Sequence, residues 1–206
     1  MTPAQIPVAK ATARGIQRLS AGILQAERLA LMALMALLTG LILLNVLTRY
    51  SGTPLYWVDE SAVYAVVWLC FVGASCMTRL RLDFAVTLLT DAVGPQWARG
   101  FKAASAACVW LFGLAMLAMC WLWMDPAGIL RHGFDARAFA EETFNFLYTE
   151  RTQTLGWPTW LVQLVIPLFA ACFTVHASAN LVEDLGWTEP ISPEGFHLGT
   201  AEETVN

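Results

Sequence analysis

Four long stretches of this chain contain no Asp, Glu, Lys or Arg: Leu29 to Thr48, Ser61 to Thr78, Ala103 to Met124 and Thr152 to Val182. The hydrocarbon core of a bilayer is about 30 Å thick and takes roughly 20 apolar residues at about 1.5 Å per residue. Each stretch is long enough, or nearly so, to cross it without stranding a charge inside. The sequence therefore predicts an all-α integral membrane protein with four transmembrane helices.

Composition sharpens this reading. Hydrophobic residues make up 57 % of the chain and charged ones 14 %, with the charges confined to the ends and the connections. A soluble domain would scatter charge along every amphipathic helix, so nearly the whole chain is membrane domain and no soluble catalytic domain fits beside it. The first apolar run exceeds a signal-peptide core of about 7–15 residues, follows a long N-terminal segment and lacks a small-x-small cleavage site, which makes it a retained span. A net charge of −4 without a dense basic patch offers no surface for nucleic acid. Cys70, Cys76, Cys108, Cys120 and Cys172 all lie inside apolar runs and form no C-x-x-C pair, so they read as packing residues and not as redox or zinc ligands.

Orientation follows from the basic residues, because Lys and Arg near span ends stay on the cytoplasmic side. Lys10, Arg14, Arg18 and Arg28 precede the first span, and Arg79, Arg81, Arg99 and Lys102 lie between the second and third. Only Arg49, Arg131, Arg137 and Arg151 lie in the other two connections, where acidic residues dilute them. Both termini are expected in the cytoplasm.

The chain divides accordingly. Residues 1–28 form a cytoplasmic segment. From Arg14 to Ala30, the residues Ile16, Leu19, Ile23, Ala26 and Ala30 recur at helical spacing opposite Arg14 and Arg18, which predicts an amphipathic interfacial helix. Residues 29–182 form the membrane domain, with spans near 29–48, 61–78, 103–124 and 155–181. A second interfacial helix is expected near 79–93, where Leu82, Ala85, Val86, Leu89 and Val93 share a stripe that ends at Gly94-Pro95. The run Ala103 to Ala107 suits close helix approach. The periplasmic connection 125–154 should hold a short helix near Ala138 to Tyr148, and residues 183–206 form an acidic tail. Trp57, Trp121, Trp123, Trp157 and Trp160 fall at one expected interface, and Trp97 and Trp187 at the other. Pro167 lies mid-span and frees the carbonyl of Gln163, which predicts a kink.

Chemistry is sparse. Asn45 lies near the outer end of the first span, and His176 and Asn180 near the inner end of the fourth. His176 reads as a snorkelling or interhelical hydrogen-bonding residue, with haem ligation or proton relay as the functional reading beside it. Arg49 and Glu60 should meet at one interface, with Asp59 as a second carboxylate, forming an ion pair that fixes the first hairpin or a subunit contact. No phosphate loop, nucleophile constellation or metal-ligand cluster is present in the sequence, so no catalytic, cofactor or metal residues are assigned.

Several motifs carry a resemblance. Arg49-Tyr50 ends the first span, and Trp57-Val58-Asp59-Glu60 opens the second. Trp68 to Phe71 then leads into Phe71-Val72-Gly73-Ala74, and the span closes at Arg79. Trp157-Pro158 and Ile166-Pro167 mark the fourth. In this order and spacing the chain resembles the small, Q-type membrane subunit of tripartite ATP-independent periplasmic (TRAP) transporters. The family's small-residue and His element after the second span is replaced here by Leu82, Asp83 and Thr87. The resemblance implies a non-catalytic subunit partnering a large multi-span membrane subunit and a periplasmic binding protein, in sodium-coupled uptake of organic acids. It points to Arg49, Tyr50, Trp57, Asp59, Glu60, Gly73 and Arg79 as structural or subunit-interface residues. The alternative is a haem- or quinone-binding anchor of a respiratory enzyme, with His176 as ligand.

Overall fold

The first helix is much longer than a span. In the computed structural model, which describes residues 5–81 and 95–189, α1 runs unbroken from Gln5 to Tyr50, 46 residues or about 69 Å. The expected interfacial helix is thus the first turns of the same rod and not a separate element. Its burial explains why. Ala13, Gln17, Ser20, Leu24, Glu27 and Leu41 are buried, and Leu31, Leu34, Leu38, Asn45 and Thr48 are half-buried. These positions alternate in steps of four and three along the whole rod, the period that keeps one seam facing its neighbours when i±3 ridges meet i±4 grooves. The apolar stripe seen in the sequence flanks this seam instead: Ile16, Ile23 and Ala30 are half-buried beside it, and Leu19 is 56 % exposed.

Ser51 to Leu55 turn the chain, with Gly52 at a φ of 75° and the Ser51 amide closing on the Leu47 carbonyl at 3.0 Å. Helix α2 then returns from Tyr56 to Leu80 along α1. Fully buried Val58 packs with Leu41 and Ala65 in the hairpin, and Gly73 faces Leu31. Arg81 ends α2 in the left-handed region, its amide donating to the carbonyls of Met77 and Thr78. Arg79 and Leu80 therefore belong to α2 and Arg81 is its cap; residues 82–93 of the expected 79–93 helix lie outside the described residues.

Helix α3 runs from Pro95 to Met124 and packs against the last helix. The two helices approach closely at Gly113, beyond the alanine run: a Cβ there would lie 2.7 Å from Thr174 Oγ1 and 3.1 Å from the Phe173 ring. Trp110 anchors the same contact by donating from Nε1 to Ser178 Oγ at 2.9 Å.

The connection after α3 is built by aspartates. Asp125 caps α4, Pro126–Arg131, and Asp135 caps α5, Ala136–Thr143. Phe144 ends α5 at a φ of 55°, so the expected helix over 138–148 begins earlier and stops sooner. Phe139 is fully buried beneath the connection, edge-on to His132 and Tyr148. Tyr148 and Asn145 tie it to α3 through the carbonyls of Met124 and Trp123.

The fourth crossing is broken. Helix α6 spans Thr159–Gln163 and α7 spans Val165–Asp184, parted at Leu164. Pro167 supplies the cause, since it offers no N–H to Gln163 and its ring crowds that carbonyl. Glu183 and Asp184 complete the last turn of α7, so the helix continues past the expected start of the tail. α7 is the hub, packing against α1, α2 and α3. The bundle thus has a terminal end, where α1 starts and α7 stops, and a connection end bearing α4 and α5.

Candidate functional site

Polar groups gather at the two ends of the bundle, and each end solves a different problem. At the connection end, the Arg49 guanidinium lies 2.7 Å from Asp59 Oδ2. Asn45, one turn earlier on α1, accepts from Arg49 Nε at 2.8 Å and donates to Asp59 Oδ1. The expected Arg49–Glu60 pair does not form. Adjacent residues on a helix point about 100° apart, so only one of Asp59 and Glu60 can face α1. Asp59 takes that place.

Glu60 serves the loop entering α6. Its Oε2 accepts from the amides of Thr154 at 2.7 Å and Leu155 at 3.0 Å and from the Thr154 hydroxyl. Its Oε1 accepts from the Gln153 amide and from Tyr64 Oη, each at 2.9 Å. Three successive backbone N–H groups converging on an anion make a concave donor nest, here filled by the protein's own carboxylate. The nest closes a small loop in which Thr152 N and Trp157 O lie 2.8 Å apart, and Trp157 N meets Thr152 Oγ1 at the same distance. Glu60 thereby fixes where Trp157-Pro158 enters the fourth crossing. Tyr50 and Trp57 stand outside this network, 91 % and 41 % exposed.

At the terminal end the charges are buried. Arg79 and Glu183 keep only 6 % and 3 % of their side-chain exposure. The guanidinium meets the carboxylate in fork geometry, Nη2 to Oε1 at 2.7 Å and Nη1 to Oε2 at 3.2 Å. Nη1 also donates to Asn180 Oδ1 at 2.6 Å, while Asn180 Nδ2 donates to the Thr78 carbonyl at 2.7 Å. Gln17 on α1 donates to Glu183 at 2.9 Å, and Arg81 reaches Asp184 at 2.8 Å. One carboxylate thus joins α1, α2 and α7.

Deeper in the bundle lies a second tier. His176, with no exposure, meets Ser20 Oγ through Nδ1 at 2.7 Å and Glu27 Oε2 through Nε2 at 3.1 Å. Cys76 donates to the same Glu27 oxygen at 3.4 Å. Hydroxyl, imidazole and carboxylate stand in the order of a hydrolase relay, but Ser20 and His176 are both fully buried and no substrate carbonyl can reach them. Both ring nitrogens are engaged, so the arrangement serves interhelical hydrogen bonding and leaves no lone pair for an axial ligand.

Of the residues singled out by sequence, Arg49 and Asp59 meet, Glu60 forms its own site, and Arg79 lies at the far end of the bundle. Gln17, Ser20, Glu27 and Glu183 were not anticipated as partners of these groups. Their signal is positional: Gln17, Ser20 and Glu27 share the four–three seam of α1, and His176, Asn180 and Glu183 recur at i, i+4, i+7 on α7.

Residues 38–186 match the family model described as tripartite ATP-independent periplasmic transporters, DctQ component. That range includes both the Glu60 nest and the Arg79–Glu183 fork, but not Gln17, Ser20 or Glu27. No curated protein and no solved structure matches the chain.

Proposed function

The chain belongs to the DctQ family of tripartite ATP-independent periplasmic transporters, and from that premise we propose that it is a non-catalytic scaffold for the large membrane subunit. As the small membrane subunit of such a system it holds a fixed body against which the large subunit's transport domain moves. The coupled process is sodium-driven uptake of an organic acid delivered by the periplasmic binding protein. Both termini face the cytoplasm, which puts the Glu60 nest on the periplasmic side and the Arg79–Glu183 fork on the cytoplasmic side of the bacterial inner membrane.

The observation that carries this reading is the distribution of polarity. Between the two clusters the α1 seam is Leu31, Leu34, Leu38 and Leu41, and α7 offers Phe169, Ala170 and Phe173. A solute path needs polar groups or broken backbone lining a cavity near the midplane. Here polar chemistry instead fastens helices together near the two ends, as suits a rigid framework. Arg49, Asp59, Glu60 and Arg79 are in this reading internal fasteners, while exposed Tyr50 and Trp57 are the residues offered to headgroups or to the large subunit.

Reconstitution tests it. Liposomes holding this chain alone should accumulate no organic acid under a sodium gradient. Adding the large subunit and substrate-loaded binding protein should give uptake, and leaving this chain out should abolish or strongly reduce it. Undiminished uptake without this chain would refute the scaffold role. Reporter fusions after Lys102 and after Asn206 should both report the cytoplasm.

A further inference from the structure

At the terminal end, a cleft of about 420 Å³ opens between the start of α1 and the segment that follows α7, lined by Lys10, Arg14, Gln17, Trp187, Thr188 and Glu189. We propose that this cleft binds the phosphate headgroup of an anionic phospholipid from the adjoining leaflet.

The lining is rich in donors. Lys10 and Arg14 stand one turn apart on α1, where Arg14 Nε donates to the Lys10 carbonyl at 3.4 Å. Neither cation has a carboxylate within ion-pair distance among the described residues. The Thr188 hydroxyl oxygen in the cleft wall is buried without a hydrogen-bond partner, which costs free energy, so a rotation about χ1 that turns it toward a bound phosphate oxygen would relieve an unmet polar group. Trp187 contributes an indole N–H that can only donate. The lining carboxylate of Glu189 adds one negative charge against two positive ones, so the cleft stays cationic.

Its construction is held from below. Gln17 Nε2 bridges Glu183 Oε1 and the Glu189 carbonyl, at 2.9 and 3.0 Å, which pins the post-α7 segment to α1. The buried Arg79–Glu183 fork is therefore the floor on which the cleft is positioned.

Depth selects a lipid over a free anion. Trp187 lies three residues beyond Asp184, where the apolar crossing ends, and tryptophan settles at headgroup level. Leu185 and Trp187 are 47 % and 42 % exposed, giving an apolar flank beside the donors. A phosphodiester with its chains turned into the bilayer satisfies both the donors and this flank. Basic residues at such a surface attract anionic lipid electrostatically.

The test uses the full-length chain in neutral detergent, titrated with phosphatidylglycerol, phosphatidylcholine or inorganic phosphate. Native mass spectrometry should retain phosphatidylglycerol at least tenfold over phosphatidylcholine, and only phosphatidylglycerol should raise the thermal midpoint. Lys10→Gln with Arg14→Gln should erase that discrimination, and Thr188→Val should weaken it several-fold without changing the charge. Arg131→Gln with Arg137→Gln, at the other end, should leave it intact. Equal retention of the two lipids, or discrimination surviving the Lys10/Arg14 double variant, would overturn the proposal. A full thermal shift from inorganic phosphate alone would show a free-anion site. Discrimination that appears only after removal of residues 190–206, which carry Glu194, Glu202 and Glu203, would give the cleft to the chain's own acidic tail.

Discussion

The two ends of the bundle use the same chemistry, an arginine facing a carboxylate, for opposite ends of the energetic scale. Arg49 and Asp59 retain 58 % and 42 % of their side-chain exposure, whereas Arg79 and Glu183 retain 6 % and 3 %. An exposed pair is screened and its partners are rehydrated when it breaks. A buried pair contributes little by existing, but losing one partner leaves an uncompensated charge in a medium that cannot solvate it. The difference teaches where this subunit is brittle: at the end where α1, α2 and α7 share one carboxylate, and not at the hairpin whose motif is most conspicuous in the sequence.

The largest effect should come from breaking the buried fork. Arg79→Ala strands Glu183 with only Gln17 and half-exposed Arg81 to answer it, and should destabilise the purified subunit by about 3–5 kcal/mol. Replacing both, Arg79→Met with Glu183→Leu, should recover much of that loss, because it removes the desolvated charges together. Thermal midpoints in detergent read both variants. If Arg79→Ala is no worse than Arg49→Ala, the contrast between the two ends is wrong.

Next comes Glu60, which belongs to the exposed end but acts through backbone. Glu60→Gln replaces one acceptor oxygen of the nest with a donor, so at least one of the Gln153, Thr154 and Leu155 amides loses its partner. Hydrogen exchange at residues 151–158 should accelerate, with exchange around Arg79 unchanged. Exchange that stays slow would mean that the loop holds itself.

Much of this was legible in the sequence, for reasons that separate cleanly. Lipid permits no charge in a crossing, so the four apolar runs show themselves without alignment, and Pro167 marks the break at Leu164 through a missing donor. The choice between Asp59 and Glu60 was not legible, because it depends on a helical phase of about 100° that only the packed hairpin fixes. Gln17, Ser20 and Glu27 were hidden for a deeper reason. In a soluble helix the apolar stripe marks the core; beside lipid the apolar stripe faces out, and small and polar residues mark the contact. The periodicity of Ile16, Leu19 and Ile23 was real, and the buried seam lay beside it. In the connection, Asp125 and Asp135 signalled two helix starts, while the αL conformation of Phe144 carries no composition cue.

Smaller still is the effect expected at Arg49. Arg49→Ala removes a pair that is largely solvated and should cost about 0–1 kcal/mol, diminishing further with added salt. Swapping Arg49→Asp with Asp59→Arg should retain any contribution, whereas a swap of Arg49 with Glu60 should not, since Glu60 faces the loop. Recovery by the Glu60 swap would put the original pairing back in play.

The smallest effect is a pH dependence confined to the connection end. Both nitrogens of His132 face acceptors: Nδ1 lies 2.8 Å from the Gly128 carbonyl, and Nε2 lies 2.8 Å from Glu142 Oε2. These hydrogen bonds, the Gly128 one foremost, hold the imidazolium above the ordinary 6.5. A raised folded-state value means that the stabilisation is complete below the unfolded value and fades as pH climbs through the folded one. The connection should therefore loosen, slightly, on the alkaline side. Comparing wild type with His132→Gln by hydrogen exchange over residues 126–143 should show the widest gap at acidic pH and convergence at alkaline pH, with exchange around the Arg79–Glu183 fork insensitive to the substitution throughout. A gap that widens as pH rises would mean that neutral His132 is the form the connection prefers, and the two hydrogen bonds would then have to be reassigned.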